Sequence, residues 1–305
     1  MTKRSATLVG FTAILMWSLL ALLTAASGRV PPFQLAAMTF LIGGALGAVT
    51  WPFRRGAASA LKQPAEVWAL GVIGLFGYHA LYFLALRLAP PAEAGLISYF
   101  WPLLIVLFSA LLPNEHLRIH HVIGALIGLV GTIVLFAGKG LALAGDFFPG
   151  YAAAFVAAFV WATYSVLSRR FASVPTDAVA GFCLATSVLA ALFHLMFETT
   201  VWPANATQWG AVAALGIGPV GAAFYVWDFG VKHGDIRVLG AASYAAPVLS
   251  TLFLVLAGFA APSIALAMSA ALIAGGGLLA AKDMLRGKSK ITLEDSTPSA
   301  PTRNP

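Results

Sequence analysis

Long apolar runs separated by short polar stretches make up most of the chain. An α-helix needs about 20 consecutive apolar residues to cross the hydrocarbon of a bilayer. Ten runs of roughly this length can be counted, over residues 7–27, 33–52, 66–86, 92–112, 122–138, 149–168, 176–197, 207–229, 238–257 and 263–281. The pattern therefore predicts an all-α membrane protein with ten transmembrane helices.

Composition and charge support this prediction. The chain is 60% apolar and 10% charged, whereas soluble domains average about 45–50% apolar and about 25% charged residues. The 18 Lys and Arg outnumber the 11 Asp and Glu, but they stand singly or in pairs between apolar runs. That distribution is typical of membrane topology and excludes a nucleic-acid partner. We expect the lipid bilayer to surround the protein.

The positions of the basic residues predict the orientation. If the chain begins in the cytoplasm, the cytoplasmic loops and tails contain Lys3, Arg4, Arg54, Arg55, Lys62, Arg118, Arg169, Arg170, Lys232, Arg237, Lys282, Arg286, Lys288, Lys290 and Arg303, and the outer loops contain Arg29, Arg87 and Lys139. This 15-to-3 split follows the positive-inside rule. We expect a multi-pass protein of the bacterial inner membrane with both termini in the cytoplasm.

An internal repeat divides the chain. Phe11, Trp17 and Val30-Pro31 recur as Phe155, Trp161 and Val174-Pro175, at an offset of 144, and Gly95, Ser98-Tyr99 and Pro102 recur as Gly240, Ser243-Tyr244 and Pro247, at an offset of 145. Each half contains five runs, so the second half must enter the membrane from the opposite side. The sequence therefore predicts two inverted five-helix repeats around a central cavity, the arrangement of alternating-access carriers.

The repeat also sets the expected domain boundaries. We expect a first repeat over residues 1–145, a second over residues 146–286, and a disordered cytoplasmic tail over residues 287–305, which is rich in Pro, Ser, Thr and charges. The first run looks like a signal peptide, with Lys3-Arg4 before it and small residues after it. Because it has a counterpart in the second half, we expect it to be retained.

Several motifs resemble those of one transporter family. Asn114-Glu115-His116-Leu117 after the fourth run, and Gly124, Gly128 and Gly131 in the fifth, resemble the loop glutamate and glycine-rich helix of the drug/metabolite transporter superfamily, in its ten-helix EamA-type form. In the second half Gly275-Gly276-Gly277 keeps the glycine-rich helix, whereas Ala260 stands where the glutamate would fall.

Within that superfamily, Ile97 to Pro102 (ISYFWP) and the aromatic-rich third run resemble aromatic amino acid exporters of the YddG type. The resemblance implies export of small metabolites, aromatic amino acids above all, through a central cavity. It implies neither an enzyme nor a cofactor.

Aromatic side chains in the middle of predicted spans are the candidate substrate-binding residues. Interfacial belts explain aromatic residues at span ends, but a buried Tyr hydroxyl needs a partner. The candidates are Trp17, Tyr78, His79, Tyr82, Tyr99, Trp101, Trp161, Tyr164, Tyr225, Ser243 and Tyr244, and Pro102 and Pro247 are candidate hinges. For each ring, packing between helices is the alternative. Rings with polar tips suit a flat substrate that also carries hydrogen-bonding groups.

The charged residues have structural interpretations. His79 is either a cavity residue or a neutral His bonded to a neighbouring helix. Asp228 lies one helical turn before Lys232, which favours an interfacial ion pair over a gate. We interpret Glu93 as a helix cap, His194 with Glu198 as an interfacial pair, and the neighbouring His116, His120 and His121 as a loop cluster without metal.

The acids Glu66, Glu93, Glu115, Asp146, Asp177, Glu198, Asp228 and Asp235 all fall at span ends or in loops. This distribution leaves His79 as the one deep titratable group expected in the membrane, and it favours facilitated transport along the substrate's own gradient.

Three function classes remain open at this point. A carrier of small molecules, working as a monomer, fits the inverted repeat best. A membrane-embedded enzyme would need a cluster of acids and histidines at one interface, and a scaffold would have no use for a midplane site. Gly216 to Gly221 matches G-x-G-x-x-G, but it lies within a span with no strand before it, so a dinucleotide site is excluded.

Overall fold

The computed structural model describes residues 1–53, 57–113, 115–137, 145–258 and 261–285, and every regular element in these ranges is helical. Nine helical stretches in this described part are long and apolar enough to cross a membrane, and a tenth apolar helix is slightly shorter. They are α1 (Lys3–Ala26), α2 (Pro32–Phe53), α3 (Ala65–Leu88), α4 (Glu93–Leu111), α5 (Ile119–Ala137), α6 (Gly145–Arg170), α7 (Ala178–Phe197), α8 (Ala206–His233), α9 (Ile236–Leu256) and α10 (Ile264–Ala280).

The ten helices match the ten predicted apolar runs, and each boundary lies within about one helical turn of the prediction. A short 3-10 helix, Ala57–Leu61, connects α2 to α3, and a single turn, Lys282–Leu285, follows α10. The predicted tail, residues 287–305, lies outside the described residues.

Contacts at the helix ends show that the two halves are inverted. Lys3 at the start of α1 lies 3.5 Å from Glu115, and Arg169 at the end of α6 donates a hydrogen bond to the same carboxylate. The first helix of one half therefore begins on the face where the first helix of the other half ends. The same holds for the second helices, because Glu198 at the end of α7 accepts a hydrogen bond from the amide of Phe33 in the first turn of α2, at 3.1 Å.

The helix pairs are also related by two-fold symmetry. Helix α1 packs on α8, and its counterpart α6 packs on α3; α1 also packs on α9, as α6 packs on α4. Three pairs of equivalent helices, α2 with α7, α4 with α9 and α5 with α10, contact each other directly. This reciprocity is what a two-fold axis in the membrane plane requires.

Interruptions of the helices occur at equivalent places in the two halves. Helix α3 contains a π-helical turn at Ile73–Gly77, and α8 contains one at Gly218–Ala222, at a constant offset of 145. Helix α4 is broken at Tyr99 and Phe100, and α9 at Ser243 and Tyr244. Such interruptions in the middle of membrane helices are frequent where helices surround a functional site.

Candidate functional site

Four tryptophans from four helices meet at the centre of the bundle. Trp17 of α1, Trp101 of α4, Trp161 of α6 and Trp227 of α8 contact one another in all six pairings, with ring centroids 5.0 to 6.3 Å apart. Trp17 and Trp161 are repeat equivalents and lie 5.6 Å apart, so the cluster lies beside the two-fold axis. We call these four residues the tryptophan cluster.

Two hydrogen bonds of the indole N–H groups fix this arrangement. Trp17 Nε1 donates to the carbonyl of Pro219 at 3.0 Å, in the π-helical turn of α8. Trp227 Nε1 donates to Ser165 Oγ at 3.1 Å. Because the N–H group of each of these indoles is hydrogen-bonded, its apolar ring can pack at the centre without an unpaired polar group.

Helix α3 adds a row of polar aromatic side chains directly after its π-helical turn. The ring of Tyr78 lies 5.5 Å from Trp161 and stacks on Tyr82 at 6.0 Å, with the two planes 3° apart. Tyr78 and Tyr82, one helical turn apart, therefore share a face of α3. Tyr78, His79 and Tyr82 are all partly exposed, whereas Trp161 is buried.

His79 is held by its own helix. Its Nδ1 lies 2.7 Å from the carbonyl of Leu75, and its ring lies edge-on to Phe40 at 5.0 Å. A nitrogen that faces a carbonyl must carry the proton, so in the neutral ring Nε2 is the free acceptor. The partner of Nδ1 lies on α3 itself and not on a neighbouring helix, and the His79 side chain is partly exposed.

Sequence reasoning missed Trp227 and Phe224. Trp227 has no exposed surface, and Phe224 stacks on Phe40 at 5.5 Å. The repeat offset of 145 that relates α8 to α3 would have identified both, because it places Trp227 opposite Tyr82 and Phe224 opposite His79. The centre therefore combines polar rings from the first half with apolar rings from the second half.

The remaining tyrosine candidates have different surroundings. Tyr164 is buried, and its ring is 5.3 Å from Trp161. Tyr99 is partly exposed and packs on Phe136 of α5 at 6.1 Å. Tyr225 turns away toward α2, where its hydroxyl donates to the carbonyl of Gly43 at 2.9 Å.

Ser243 and Tyr244 are fully buried in the break of α9. Ser243 Oγ donates to the carbonyl of Leu239 at 2.7 Å, and Tyr244 packs against Gly128 of α5. The structure does not bring this pair into ring contact with the tryptophan cluster in the part of the chain that it describes.

Pro102 and Pro247 lie near the start of the second half-helix of α4 and α9, respectively. Proline lacks a backbone N–H, but an N–H in the first turn of a helix has no carbonyl partner within that helix, so no helical hydrogen bond is lost. Gly240 of α9 packs closely against the carbonyl of Pro102, so the two broken helices contact each other near their breaks.

Paired charges close the face at which α1 begins, here called the amino-terminal face. Besides Lys3 and Arg169, Arg237 reaches Glu115 at 3.2 Å, and Arg237 also pairs with Asp235 at 2.8 Å. Burial alone would favour the neutral acid, but the hydrogen bonds and charge of Arg237 and the charge of Lys3 hold the pKa of Asp235 below its usual range.

The predicted ion pair between Asp228 and Lys232 is present near the end of α8 and is buried within the protein. Asp228 is 2% exposed and Lys232 is 7% exposed, and Nζ lies 2.8 Å from Oδ2. Thr176 donates to the same Oδ2 at 2.7 Å. Helix α8 continues for one more turn than predicted, so Asp228 lies within the helix and is enclosed by protein.

At the opposite face the acids act on helix ends and neighbouring side chains. Glu198 accepts hydrogen bonds from the amides of Phe33 and Gln34, each at 3.1 Å, and so caps α2 from α7. Its side chain is 2% exposed, and the predicted pair with His194 is present, with Nδ1 of His194 3.0 Å from Oε2 of Glu198. Glu93 is also buried and accepts a hydrogen bond from Tyr151 of α6.

One group of side chains has the composition of a metal site. Ligand atoms of His120, His121 and Asp283 lie within 4.8 Å of one another. Arg118 donates to Asp283 at 2.7 Å, and its amide donates to His121 Nδ1 at 3.1 Å. Because Arg118 already meets the charge of Asp283, we interpret the group as a contact between the start of α5 and the turn after α10.

Comparisons with known proteins agree with this architecture. The model of the EamA-like transporter family matches the chain twice, over residues 4–137 and 148–282. The chain is 61% identical over 282 residues to the aromatic amino acid exporter YddG of Ancylobacter novellus, which covers 92% of this chain and 98% of that exporter. It is 28% identical over 265 residues to the exporter of the same name from Salmonella typhimurium, which covers 82% of this chain and 88% of the relative.

A solved crystal structure with 61% sequence identity superposes with a TM-score of 0.88, and the match covers 92% of this chain and 98% of that chain. The two family matches coincide with the two inverted sets of five helices. The chain belongs to the EamA-like transporter family.

Proposed function

We propose that this transporter exports aromatic amino acids across the bacterial inner membrane. The observation on which this proposal rests is the tryptophan cluster, in which four indoles from both repeats meet in the middle of the bundle. Aromatic rings recognise other rings by offset or edge-on contacts worth about 0.5–1.5 kcal/mol each. The names of the relatives from Ancylobacter novellus and Salmonella typhimurium give the same substrate class.

The substrate ring would bind against the partly exposed side chains of Trp17, Tyr78 and Tyr82. In the described conformation, paired charges close the amino-terminal face, while these rings keep some of their surface uncovered. Tyr82 and His79 supply polar tips for the groups of the substrate that need hydrogen bonds. This position is surrounded by Tyr99, Trp101, Trp161 and Tyr164. We assign a supporting role behind these residues to Tyr225, Ser243 and Tyr244.

Alternating access would arise from rocking of the two halves, residues 1–145 and 146–286, against each other. Pro102 and Pro247 lie beside the breaks of α4 and α9, which pack together near the axis. Breaks at equivalent positions let each half bend in turn, which is the motion that an inverted repeat provides. A single chain contains all parts of this device, so we propose a monomer in the lipid bilayer.

The amino-terminal face is proposed to be cytoplasmic, with both termini on that side. The 15-to-3 split of basic residues supports this orientation. Cysteine labelling tests it after Cys183, the one cysteine of the chain, is replaced by Ala. We expect a cysteine at Lys3 to react with a membrane-impermeant maleimide only after the cells are opened, and one at Trp202 to react in intact cells. The reverse result would contradict the orientation.

Transport itself is tested with purified protein in liposomes. We expect uptake of radiolabelled L-tryptophan above that of protein-free liposomes, with inhibition by L-phenylalanine and L-tyrosine stronger than by L-aspartate. Equal inhibition by all four amino acids, or uptake no faster than in protein-free liposomes, would contradict the proposed substrate class.

A further inference from the structure

An amino acid carries two charges that the rings at the centre do not match. Removing an ammonium or a carboxylate from water costs several kcal/mol per ion unless the protein compensates it. Among the described rings around the tryptophan cluster, His79 carries the one basic side chain, and its ring contacts Tyr78 and Phe224. A carrier for zwitterions needs charges of both signs close to such a centre.

Charges of both signs lie on α8, one and five residues after Trp227 of the cluster. Asp228 follows Trp227 in the chain, and Lys232 lies one helical turn further. The two side chains are buried and compensate each other at 2.8 Å. Lys232 Nζ also donates to the carbonyl of Val174 at 2.9 Å, and both described hydrogen bonds to Asp228 use Oδ2.

A small cavity adjoins this pair. It is lined by apolar side chains and by four polar ones, Asp228, Lys232, Ser168 and Tyr164. Its volume of about 10 Å³ is enough for about one water molecule. The Tyr164 side chain is 2% exposed, and its hydroxyl lies close to Ser168 but makes no hydrogen bond of good geometry among the described residues. Leaving a buried hydroxyl unpaired costs about 1–3 kcal/mol. Such a group beside an acid and a base indicates a place prepared for a polar ligand.

The cavity lies on the way from the tryptophan cluster to the amino-terminal face. The ring of Tyr164 contacts Trp161 at 5.3 Å, and the carbonyl of Lys232 lies within reach of Arg169 at 3.5 Å. Opening of that face would widen the cavity between α3, α6, α7 and α8, because residues of these four helices or the loops beside them line it.

The symmetry-related position at the opposite face is built differently. An offset of 145 relates Asp228 to Phe83 and Lys232 to Arg87. Phe83 packs edge-on against Phe33 at 5.5 Å, and Arg87 pairs with Glu198 at 3.4 Å. Two charges of opposite sign in the interior are therefore a property of α8 and not a requirement of the repeat.

We propose that Asp228 and Lys232 form a binding site for the head group of zwitterionic α-amino acids, occupied when the amino-terminal face opens. Asp228 binds the ammonium group, and Lys232 binds the carboxylate together with the hydroxyl of Tyr164. In the closed conformation the two side chains bind each other instead, so their charges are compensated in both conformations. This inference rests on the proposed function, because it assigns the charged end of the proposed substrate.

The test removes both charges at once, since removing one would leave a buried charge unpaired. Uptake of L-tryptophan into liposomes is measured for the wild type and for Asp228→Asn/Lys232→Gln, with tryptamine and indole-3-propionate as competitors that each lack one charge. We expect the wild type to prefer L-tryptophan over both analogues, and the double variant to show a KM for L-tryptophan raised at least about tenfold, given the strength of hydrogen bonds to charged groups. The double variant should also lose the preference for L-tryptophan over tryptamine and indole-3-propionate.

A matched control is Arg87→Gln/Glu198→Gln, which removes the pair at the opposite face and should keep the preference for the zwitterion. A double variant of Asp228 and Lys232 that transports with the wild-type preference would overturn the inference. Absence of L-tryptophan uptake by the wild type would instead overturn the proposed function.

Tyr164→Phe decides the question if the double variant does not fold, because it removes one unpartnered hydroxyl and keeps the ring. We expect the KM for L-tryptophan to rise about 10- to 150-fold, the equivalent of one hydrogen bond to a charged group, and inhibition by tryptamine, which has no carboxylate, to stay unchanged. An unchanged KM for L-tryptophan in a well-folded Tyr164→Phe protein would contradict the site.

Discussion

Truncation of Trp101 tests whether the tryptophan cluster binds the substrate or only packs the bundle. Trp101 is 6% exposed and makes edge-on contacts with Trp17, Trp161 and Trp227 at 6.2, 6.3 and 6.0 Å. At about 0.5–1.5 kcal/mol per aromatic contact, Trp101→Ala removes roughly 1.5–4.5 kcal/mol of packing from the free protein. A substrate ring that stacks on the same indole loses about another 0.5–1.5 kcal/mol, or about a 2- to 13-fold rise in KM.

The assay combines thermal unfolding in detergent with L-tryptophan uptake in liposomes. Trp101→Phe keeps a ring and should restore most of the affinity. Trp209→Ala is the matched control, because Trp209 is 46% exposed and stacks on Trp202 away from the centre. If folded Trp101→Ala transports with the wild-type KM, contact between Trp101 and the substrate ring is refuted.

Four further predictions follow from contacts on other helices. Gly276→Val should prevent folding, because a Cβ there would lie 2.5 Å from the carbonyl oxygen of Gly124. Gly275→Val should fold, because nothing lies within 4 Å of a Cβ at that position. Size-exclusion chromatography distinguishes the two outcomes. Trp17→Phe removes the hydrogen bond to Pro219 and should lower the free energy of unfolding by about 1 kcal/mol, measured by denaturant titration against Trp209→Phe. Asp235 has a lowered pKa in the folded protein. Its stabilising effect should therefore be constant above the unfolded pKa of about 3.9 and be lost as the pH falls through the lower folded pKa. The difference in the free energy of unfolding between the wild type and Asp235→Asn, measured from pH 7 downward, checks this. Because Lys232 already neutralises Asp228, an imposed pH or sodium gradient should not drive accumulation of L-tryptophan in liposomes, and gradient-dependent accumulation would contradict facilitated transport.

Much of the fold follows from the sequence because a bilayer constrains it so strongly. Length and hydropathy determine the spans, and the offset between Trp17 and Trp161 revealed the duplication before any contact was known. Five spans in each half then required the inversion, which the contacts of Glu115 confirm.

The candidate site was harder to predict because a helix face cannot be assigned from residue type alone. Tyr225 has the same chemistry as Tyr78, yet it points toward Gly43 of α2 while Tyr78 contacts Trp161. The π-helical turns change the faces of α3 and α8 at this level, and apolar periodicity does not show them. Trp227 was overlooked for a related reason, since it lies close to the predicted end of its span.

Counterflow of L-tryptophan in liposomes tests the central claim most directly, because only a carrier that alternates between two openings exchanges one substrate molecule for another. Liposomes are loaded with excess unlabelled L-tryptophan and diluted into a trace of labelled substrate. We predict a transient accumulation of label above the outside concentration, abolished when the liposomes are loaded with L-aspartate. A monotonic approach to equilibrium with L-tryptophan, L-phenylalanine and L-tyrosine alike would contradict the account.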